Sequence, residues 1–577
     1  MAARGTPPDG PRVAVIGRRG RFNVAEPLFE RGPRSGLERR ARDLEGRMAL
    51  VDERGGRARV LRPLGSPEKA RDVVEALLWE RLGRGFPERL EQEAEEAAAR
   101  TAARPGSRRD LVELATFTVD PATARDFDDA VSAACEGDGM RLWIHIADVA
   151  AHVRPGSDLD REAAERANST YVPGMVEPML PHALSSGACS LSPGVERLAV
   201  TTEIELAADG AVRRVSFYRS RIRSDARLDY DDLDEIFAGR AAPPEPVAEP
   251  LRLAREAAAA LAERRRGTAL EVDSREPHFH FDKGGDVIGA DGVEQTEAHE
   301  LIEQLMILNN ERVATLLSEK RVPTLYRVHE EPDPERIAFL IEKLGSLDVP
   351  TPPLPEHLAP GQAGELAREA SRLVAAEAAR RGHGREAYTS LVLRALKQAH
   401  YSDRNLGHAG LGSSAYCHFT SPIRRFPDLI AHRALLSVLG EGEETPPRRL
   451  VREAAVHCSE RERDASRTER DADDICAAFL LRRELFEFGH DREFDGEVSG
   501  VIGAGAFVSF AGELGDAYEG FLPARRLRGE RFELNREETA LLGGKTGRAV
   551  RLGDPVTVTV GRIDAPRGRV DLEPADG

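Results

Sequence analysis

Thr118-Val-Asp120-Pro-Ala-Thr-Ala-Arg-Asp126-Phe-Asp128-Asp129-Ala-Val131 places four aspartates within ten residues. In an extended segment Asp126 and Asp128 point to one side and Asp129 to the other, while Asp120 returns from the preceding turn. Carboxylates this close raise one another's pKa in a partly buried cleft unless a positive charge compensates, and a bound divalent cation is the simplest compensation. Oxygen-only donors select hard ions, and magnesium takes a few carboxylates and completes its shell with waters and phosphate oxygens. The calcium-loop pattern is not met, because no glycine follows at the required place, which excludes an EF-hand. A solvated acidic turn is the plain alternative, and other parts of the chain must decide between the two.

The second informative stretch is His418-Phe-Thr420-Ser421-Pro422-Ile-Arg424-Arg425-Phe-Pro-Asp428-Leu-Ile-Ala-His432-Arg433. Ser421 suits a helix N-cap and Pro422 a first helical turn, so free backbone N–H groups and two arginines are expected to meet at one end as an anion cradle. Arginine offers a planar fork to phosphate oxygens and keeps its charge at any working pH, so Arg424 or Arg425 could steady charge developing on a cleaved phosphodiester. A capped surface helix with solvated arginines is the bland alternative.

Taken together, Thr118-Val-Asp-Pro, Ala124-Arg-Asp-Phe-Asp-Asp-Ala-Val, Ile144-His-Ile-Ala-Asp-Val, Tyr171-Val-Pro, Pro178-Met-Leu-Pro and His418-Phe-Thr-Ser-Pro-Ile-Arg-Arg-Phe-Pro-Asp-Leu resemble the catalytic domain of the ribonuclease II and ribonuclease R exoribonucleases. Cys189-Ser-Leu-Ser-Pro, Tyr326-Arg-Val-His-Glu-Glu-Pro and His400-Tyr-Ser-Asp-Arg-Asn-Leu-Gly-His lean toward the ribonuclease R branch. Several separate motifs in the right order, between residues 108 and 480, are far more specific than one short pattern.

The resemblance implies processive hydrolysis of single-stranded RNA from a free 3′ end, release of nucleoside 5′-monophosphates, and one or two magnesium ions that acidify the attacking water and neutralise the leaving 3′ oxygen. It assigns Asp120, Asp126, Asp128 and Asp129 to the metal, with Asp128 the position whose loss abolishes cleavage, and Arg424 to the transition state. Tyr171 and Tyr230 are implied to guide the RNA, alongside Arg425; core packing is the more usual fate of a tyrosine. Glu469 matches an acidic residue of the active-site wall, whereas His145, His152 and His432 are expected to be structural.

A chain of 577 residues suggests roughly four domains. Its net charge of −17 comes from 82 Lys and Arg against 99 Asp and Glu. That balance does not exclude RNA, since grip on a strand depends on where arginines line its path and not on the total. Aromatic content of 5% leaves few rings for base stacking, so each ring near a channel matters more. The first twenty residues lack the apolar stretch of a secretory signal, and no membrane-spanning run is present. Five cysteines without C-x-x-C spacing fit reduced thiols in a cytoplasmic enzyme, expected to be monomeric and to avoid membranes.

Arg12-Val-Ala-Val-Ile-Gly, Gly46-Arg-Met-Ala-Leu-Val-Asp and Ala58-Arg-Val-Leu read as short strands of one small barrel, followed by a helix opened by Ser66 and Pro67 with Val74, Leu77, Leu78 and Leu82 on its apolar face. Relatives usually carry two cold-shock-type barrels here; this chain has room for one. Helices are expected near 251 to 266, 295 to 319, 363 to 381, 387 to 401 and 422 to 439, then a long charged one over 448 to 488 with a mostly solvated face. From Phe494 onward, alternating residues with glycine bends fit a five-stranded OB barrel. Phe507, Phe510, Tyr518 and Phe521 are offered there for base stacking, some of them necessarily core; Phe279 and Phe281 are further candidates.

The expected fold is thus a multidomain α+β chain. It comprises a cold-shock or OB-like domain with a helical linker over 1–105, a mixed α/β RNB-type catalytic domain over 106–485, and an OB-fold RNA-binding domain over 490–577. A catalytically silent RNA-binding protein and a phosphodiesterase acting on DNA are the competing functions. The intact aspartate set disfavours the first, and matched RNA and DNA strands separate the second.

Overall fold

The computed structural model describes residues 10–20, 22–37, 43–54, 56–103, 106–268, 270, 276–293, 295–527 and 529–575. The segment read for a secretory signal therefore lies partly outside the described residues. At the centre is a seven-stranded sheet in the order Ala226–Leu228, Phe117–Val119, Asp129–Glu136, Gly139–Ala147, Glu196–Ala207, Val212–Arg223 and Arg109–Asp110. The strands Asp129–Glu136 and Gly139–Ala147 pair antiparallel, with Asp129 opposite Ile146. Gly139 is required where this hairpin meets the next strand, because a Cβ there would lie 2.0 Å from the Leu206 carbonyl oxygen.

Ala130, Val131, Ser132 and Ala133 are all buried, so this strand is covered on both faces. Helix Ala248–Arg265 packs on it through a stripe that includes Ala254, Ala257 and Ala258, whose small side chains allow close approach. Helices Glu297–Glu319 and Phe426–Leu439 belong to the same core, and the second is buried continuously from Phe426 to Leu436.

Both ends of the chain form closed five-stranded barrels, as the strand patterns require. The first joins Arg12–Arg19, Phe22–Pro27, Ser35–Leu37, Arg57–Pro63 and Met48–Arg54. Its companion helix starts at Ala70, later than the Ser66-Pro67 signal suggests: Ser66 O accepts the Lys69 amide in a closed turn, and Lys69, in extended conformation, is the N-cap. The second joins Glu493–Ile502, Gly505–Phe510, Tyr518–Pro523, Arg569–Pro574 and Pro555–Asp564. A separate three-stranded sheet, Phe532–Leu534, Ala540–Gly543 and Ala549–Arg551, was not anticipated in the sequence.

Helix Arg448–Phe488 runs 41 residues and departs from its expected solvated role. It buries a series from Val451 to Leu485 and touches the first barrel's helix, the Tyr171 strand and the second barrel, which makes it the spine of the molecule. Among the described residues no helix is long and apolar enough to cross a membrane. The cysteines are unbridged, and all but Cys135 are buried.

Candidate active site

The aspartate loop connects strand Phe117–Val119 to strand Asp129–Glu136 and is held from several directions. Arg227 Nη2 donates to the carbonyls of Pro121 and Ala122, both at 2.8 Å, and the Asp120 amide donates to Leu228 O at 3.2 Å. On the other side Ser190 Oγ accepts from the Phe127 amide at 3.1 Å and donates to Arg125 O at 2.9 Å. Sequence reasoning did not single out Arg227 or Ser190, although Ser190 lies inside the Cys189-Ser-Leu-Ser-Pro motif and Arg227 is three residues before Tyr230.

The loop is therefore fixed by its backbone, which leaves the carboxylates available. Asp128 is 3% exposed; its Oδ1 accepts the Ile423 amide at 2.8 Å, and its Oδ2 has no hydrogen-bond partner. Asp120 Oδ2 is likewise buried and unpartnered. Asp126 Oδ2 accepts the Tyr171 hydroxyl at 2.9 Å. Burial, with Asp129 and Asp126 nearby, pushes Asp120 up to about 8, and burial pushes Asp129 up to about 6 against the pull of Arg424 and Arg425. Burial raises Asp128 too, opposed by Arg424 and the Ile423 amide.

Carboxylates that are buried, crowd one another's charge and keep oxygens without a hydrogen bond fit a cation. The carboxylates are not drawn into a closed cage: among the described residues no group of three or more His, Cys, Asp or Glu side chains is set up to hold a metal ion by itself. The donor set therefore suits a hard ion such as magnesium, which takes the rest of its shell from water and phosphate oxygens, better than zinc or a calcium cage.

Facing the loop, the stretch from Ser421 to Arg425 is a tight turn, and the helix begins only at Phe426 with Arg425 as its N-cap and Pro427 in its first turn. This corrects the expected Ser421 cap. The Ser421 amide donates to Asp428 Oδ1 at 2.8 Å and the Ile423 amide to Asp128, so the anion cradle is filled by the protein's own carboxylates. Arg424 leaves 46% of its side chain exposed, with Nε 3.4 Å from Asp128 Oδ2 and Nη2 donating to Ser421 Oγ at 3.1 Å. Arg425, expected on the RNA, instead binds Asp428 Oδ1 through Nη2 at 2.7 Å and is largely covered.

Tyr171 is 41% exposed on the short strand Thr170–Val172, and its amide donates to a Glu469 carboxylate oxygen at 2.9 Å. Its strand is tied to the Arg424 turn, since the Ser169 amide donates to Arg424 O at 2.9 Å and the Phe426 amide to Ala167 O at 2.8 Å. Tyr230 is half-buried, with one ring face stacked on His299 at 4.0 Å.

Of the barrel aromatics, Phe510 is 4% exposed among Phe494 and Tyr518, so it is core and unavailable for stacking. Phe507 is half-buried beside Phe521, their ring centres 5.2 Å apart. Phe279 is buried, whereas Phe281 is partly buried near Gly174, in the turn after the Tyr171 strand. His145, His152 and His432 are shifted below the usual histidine range by burial, to about 3, about 4 and about 4, and stay neutral in structural roles.

Comparison with known proteins agrees with this geometry. The RNB domain family matches residues 108–441. Ribonuclease R of Aquifex aeolicus is 34% identical over 528 residues, covering 90% of this chain and 72% of the relative. Among solved structures, Mycoplasma genitalium RNase R in complex with ribose-methylated single-stranded RNA superposes with a TM-score of 0.86 at 25% identity, covering 99% of this chain and 90% of that one. The same protein in complex with double-stranded RNA gives 0.81 at 25% identity, covering 99% and 97%. The chain belongs to the ribonuclease R family of RNB-domain exoribonucleases.

Proposed function

We propose that this protein is a magnesium-dependent 3′-to-5′ exoribonuclease that processively hydrolyses single-stranded RNA to nucleoside 5′-monophosphates. One observation carries the proposal: Arg424 stands 3.4 Å from Oδ2 of the buried Asp128, in a loop where Asp120 also keeps a buried carboxylate oxygen without a hydrogen bond. In the proposed division of labour, residues 106–485 cleave, while 1–105 and 490–577 contribute RNA-binding barrels. Family membership and the Mycoplasma relative's complexes with RNA support that assignment.

In this account Asp120, Asp126, Asp128 and Asp129 hold one or two magnesium ions, which when bound supply Lewis acidity and an activated water. Arg424 directs its exposed N–H groups to the scissile phosphate and stabilises charge that grows there during in-line displacement. Its Nε stays against Asp128, so the guanidinium is already oriented when the strand arrives. Tyr171, held at its amide by Glu469 and at its hydroxyl by Asp126, orients the 3′-terminal nucleotide, and Tyr230 lines the path beside Asp120 and Asp129. Phe507 offers a half-covered ring to incoming bases.

The test is digestion of a 5′-labelled single strand with and without magnesium. A ladder shortening from the 3′ end, only with metal and only on RNA, is the expected result. Internal cuts, or equal digestion of the matched DNA, would contradict it.

A further inference from the structure

Resting on the roles proposed above, we infer that Asp428 is a positioning residue for cleavage, setting through Ser421 and Arg425 the turn that aims Arg424. Asp428 lies in the first turn of helix Phe426–Leu439, where a negative charge complements the helix dipole, and it is 0% exposed. Its Oδ1 accepts the Ser421 amide at 2.8 Å and Arg425 Nη2 at 2.7 Å, so its hydrogen bonds go to the arginine turn.

Ser421 is the hub of the turn. Its carbonyl accepts the amides of Arg424 at 3.2 Å and Arg425 at 2.9 Å, and its hydroxyl accepts Arg424 Nη2 at 3.1 Å. Backbone and guanidinium of Arg424 are thus both referred to one residue, and Asp428 fixes that residue from the buried side. The next N–H along the chain, that of Ile423 beyond Pro422, reaches Asp128 at 2.8 Å. Arg425 makes Asp428 obligatory: a largely covered guanidinium whose Nε is buried without a partner relies on this carboxylate to offset its charge. Removing that charge frees Arg425 to pull on Ser421, and a displacement of about 1 Å at a transition-state group is enough to cost on the order of 100-fold in rate.

Asp428→Asn keeps the shape and an acceptor for the Ser421 amide but removes the charge. In single-turnover cleavage of 5′-labelled single-stranded RNA with magnesium, the cleavage rate is expected to fall about 10- to 100-fold while KM measured at steady state changes less than about threefold. In an Arg424→Ala background the same substitution is expected to cost less than about threefold, because a residue that acts through Arg424 has nothing left to aim. An equal loss in both backgrounds would make Asp428 a fold-holding residue only and overturn the inference, as would an unchanged rate in the parent background. Should Asp428→Asn fail to fold, Asp428→Glu, which keeps the charge but displaces the carboxylate from Ser421 and Arg425, carries the same comparison with the same expected factors. A parent enzyme that leaves RNA intact would instead contradict the proposed function, which keeps the two failures distinct.

Discussion

Asp128 accepts a hydrogen bond from the backbone amide of Ile423 at 2.8 Å, across 295 positions of sequence. That bond locks the aspartate loop to the arginine turn, so the groups proposed to hold metal and to stabilise the transition state form one rigid unit before any ligand arrives. Rigidity of this kind is what lets a charged site act without reorganising during the reaction.

Asp128→Asn is the substitution that separates binding from chemistry. Asparagine keeps an acceptor for the Ile423 amide but loses the charge. RNA affinity measured by filter binding should stay within about threefold, while the cleavage rate falls at least about 100-fold. Turnover equal to that of the parent would remove Asp128 from the reaction.

Arg424→Lys keeps the charge and removes the fork. The guanidinium here faces Asp128 Oδ2 and Ser421 Oγ at once, which a flexible ammonium cannot reproduce while also meeting a phosphate. A loss of about 100-fold in kcat, with a smaller change in KM, is expected in steady-state assays. An unchanged kcat would rule out a planar contact to the phosphate.

Ala167 has φ of 61°, a conformation that side chains with a Cβ resist, and it is 1% exposed at the end of helix Asp158–Arg166. Its carbonyl accepts the Phe426 amide, so the surrounding bonds impose the strain. Ala167→Gly relieves a cost of about 1 to 2 kcal/mol at the expense of some unfolded-chain entropy, for a net gain of about 0.5 to 1 kcal/mol in urea unfolding. A loss of stability would show that the conformation is unstrained.

Glu80 closes helix Ala70–Arg81 onto the first barrel, accepting the Val13 amide. Burial pushes its pKa from 4.5 up to about 7, opposed by the Val13 amide and reinforced by Glu30. Between those values the folded state binds a proton that the unfolded chain releases. The contribution is therefore fully present below the lower value and is lost as pH rises toward the upper, with a slope of at most about 1.4 kcal/mol per pH unit. Urea unfolding followed by Trp79 fluorescence in a Trp143→Phe background should show the first barrel weakening from pH 5 to pH 7. Glu80→Gln should flatten that slope; parallel slopes for parent and variant would exclude Glu80 as its source.

Much of the site was legible because charge clustering is local. Four aspartates in ten residues mark the loop as a candidate cation site before any fold is known, and the strand and glycine pattern at each end sufficed to predict a small barrel. What was misread depends on partners far along the chain. Ser421-Pro422 has the composition of a helix start, yet residues 421 to 424 close a turn with the Ser421 and Ile423 amides on Asp428 and Asp128, Arg425 is extended, and the helix begins four residues later at Phe426. The two arginines look equivalent in sequence, and only the buried position of Asp428 assigns one to structure and leaves the other exposed. Phe507 and Phe510 were both offered to RNA, although residues three apart on a strand face opposite sides, so one of the pair had to be core.

The central claim is that the carboxylates between Asp120 and Asp129 bind divalent cations, and manganese is the probe that reports this most directly. Crystals of the protein soaked in manganese chloride should show an anomalous peak contacting oxygens of Asp120 and Asp128, and the peak should vanish in the Asp120→Asn/Asp128→Asn variant. A parent crystal with no anomalous density at that position, at manganese concentrations that support RNA cleavage in solution, would contradict the account.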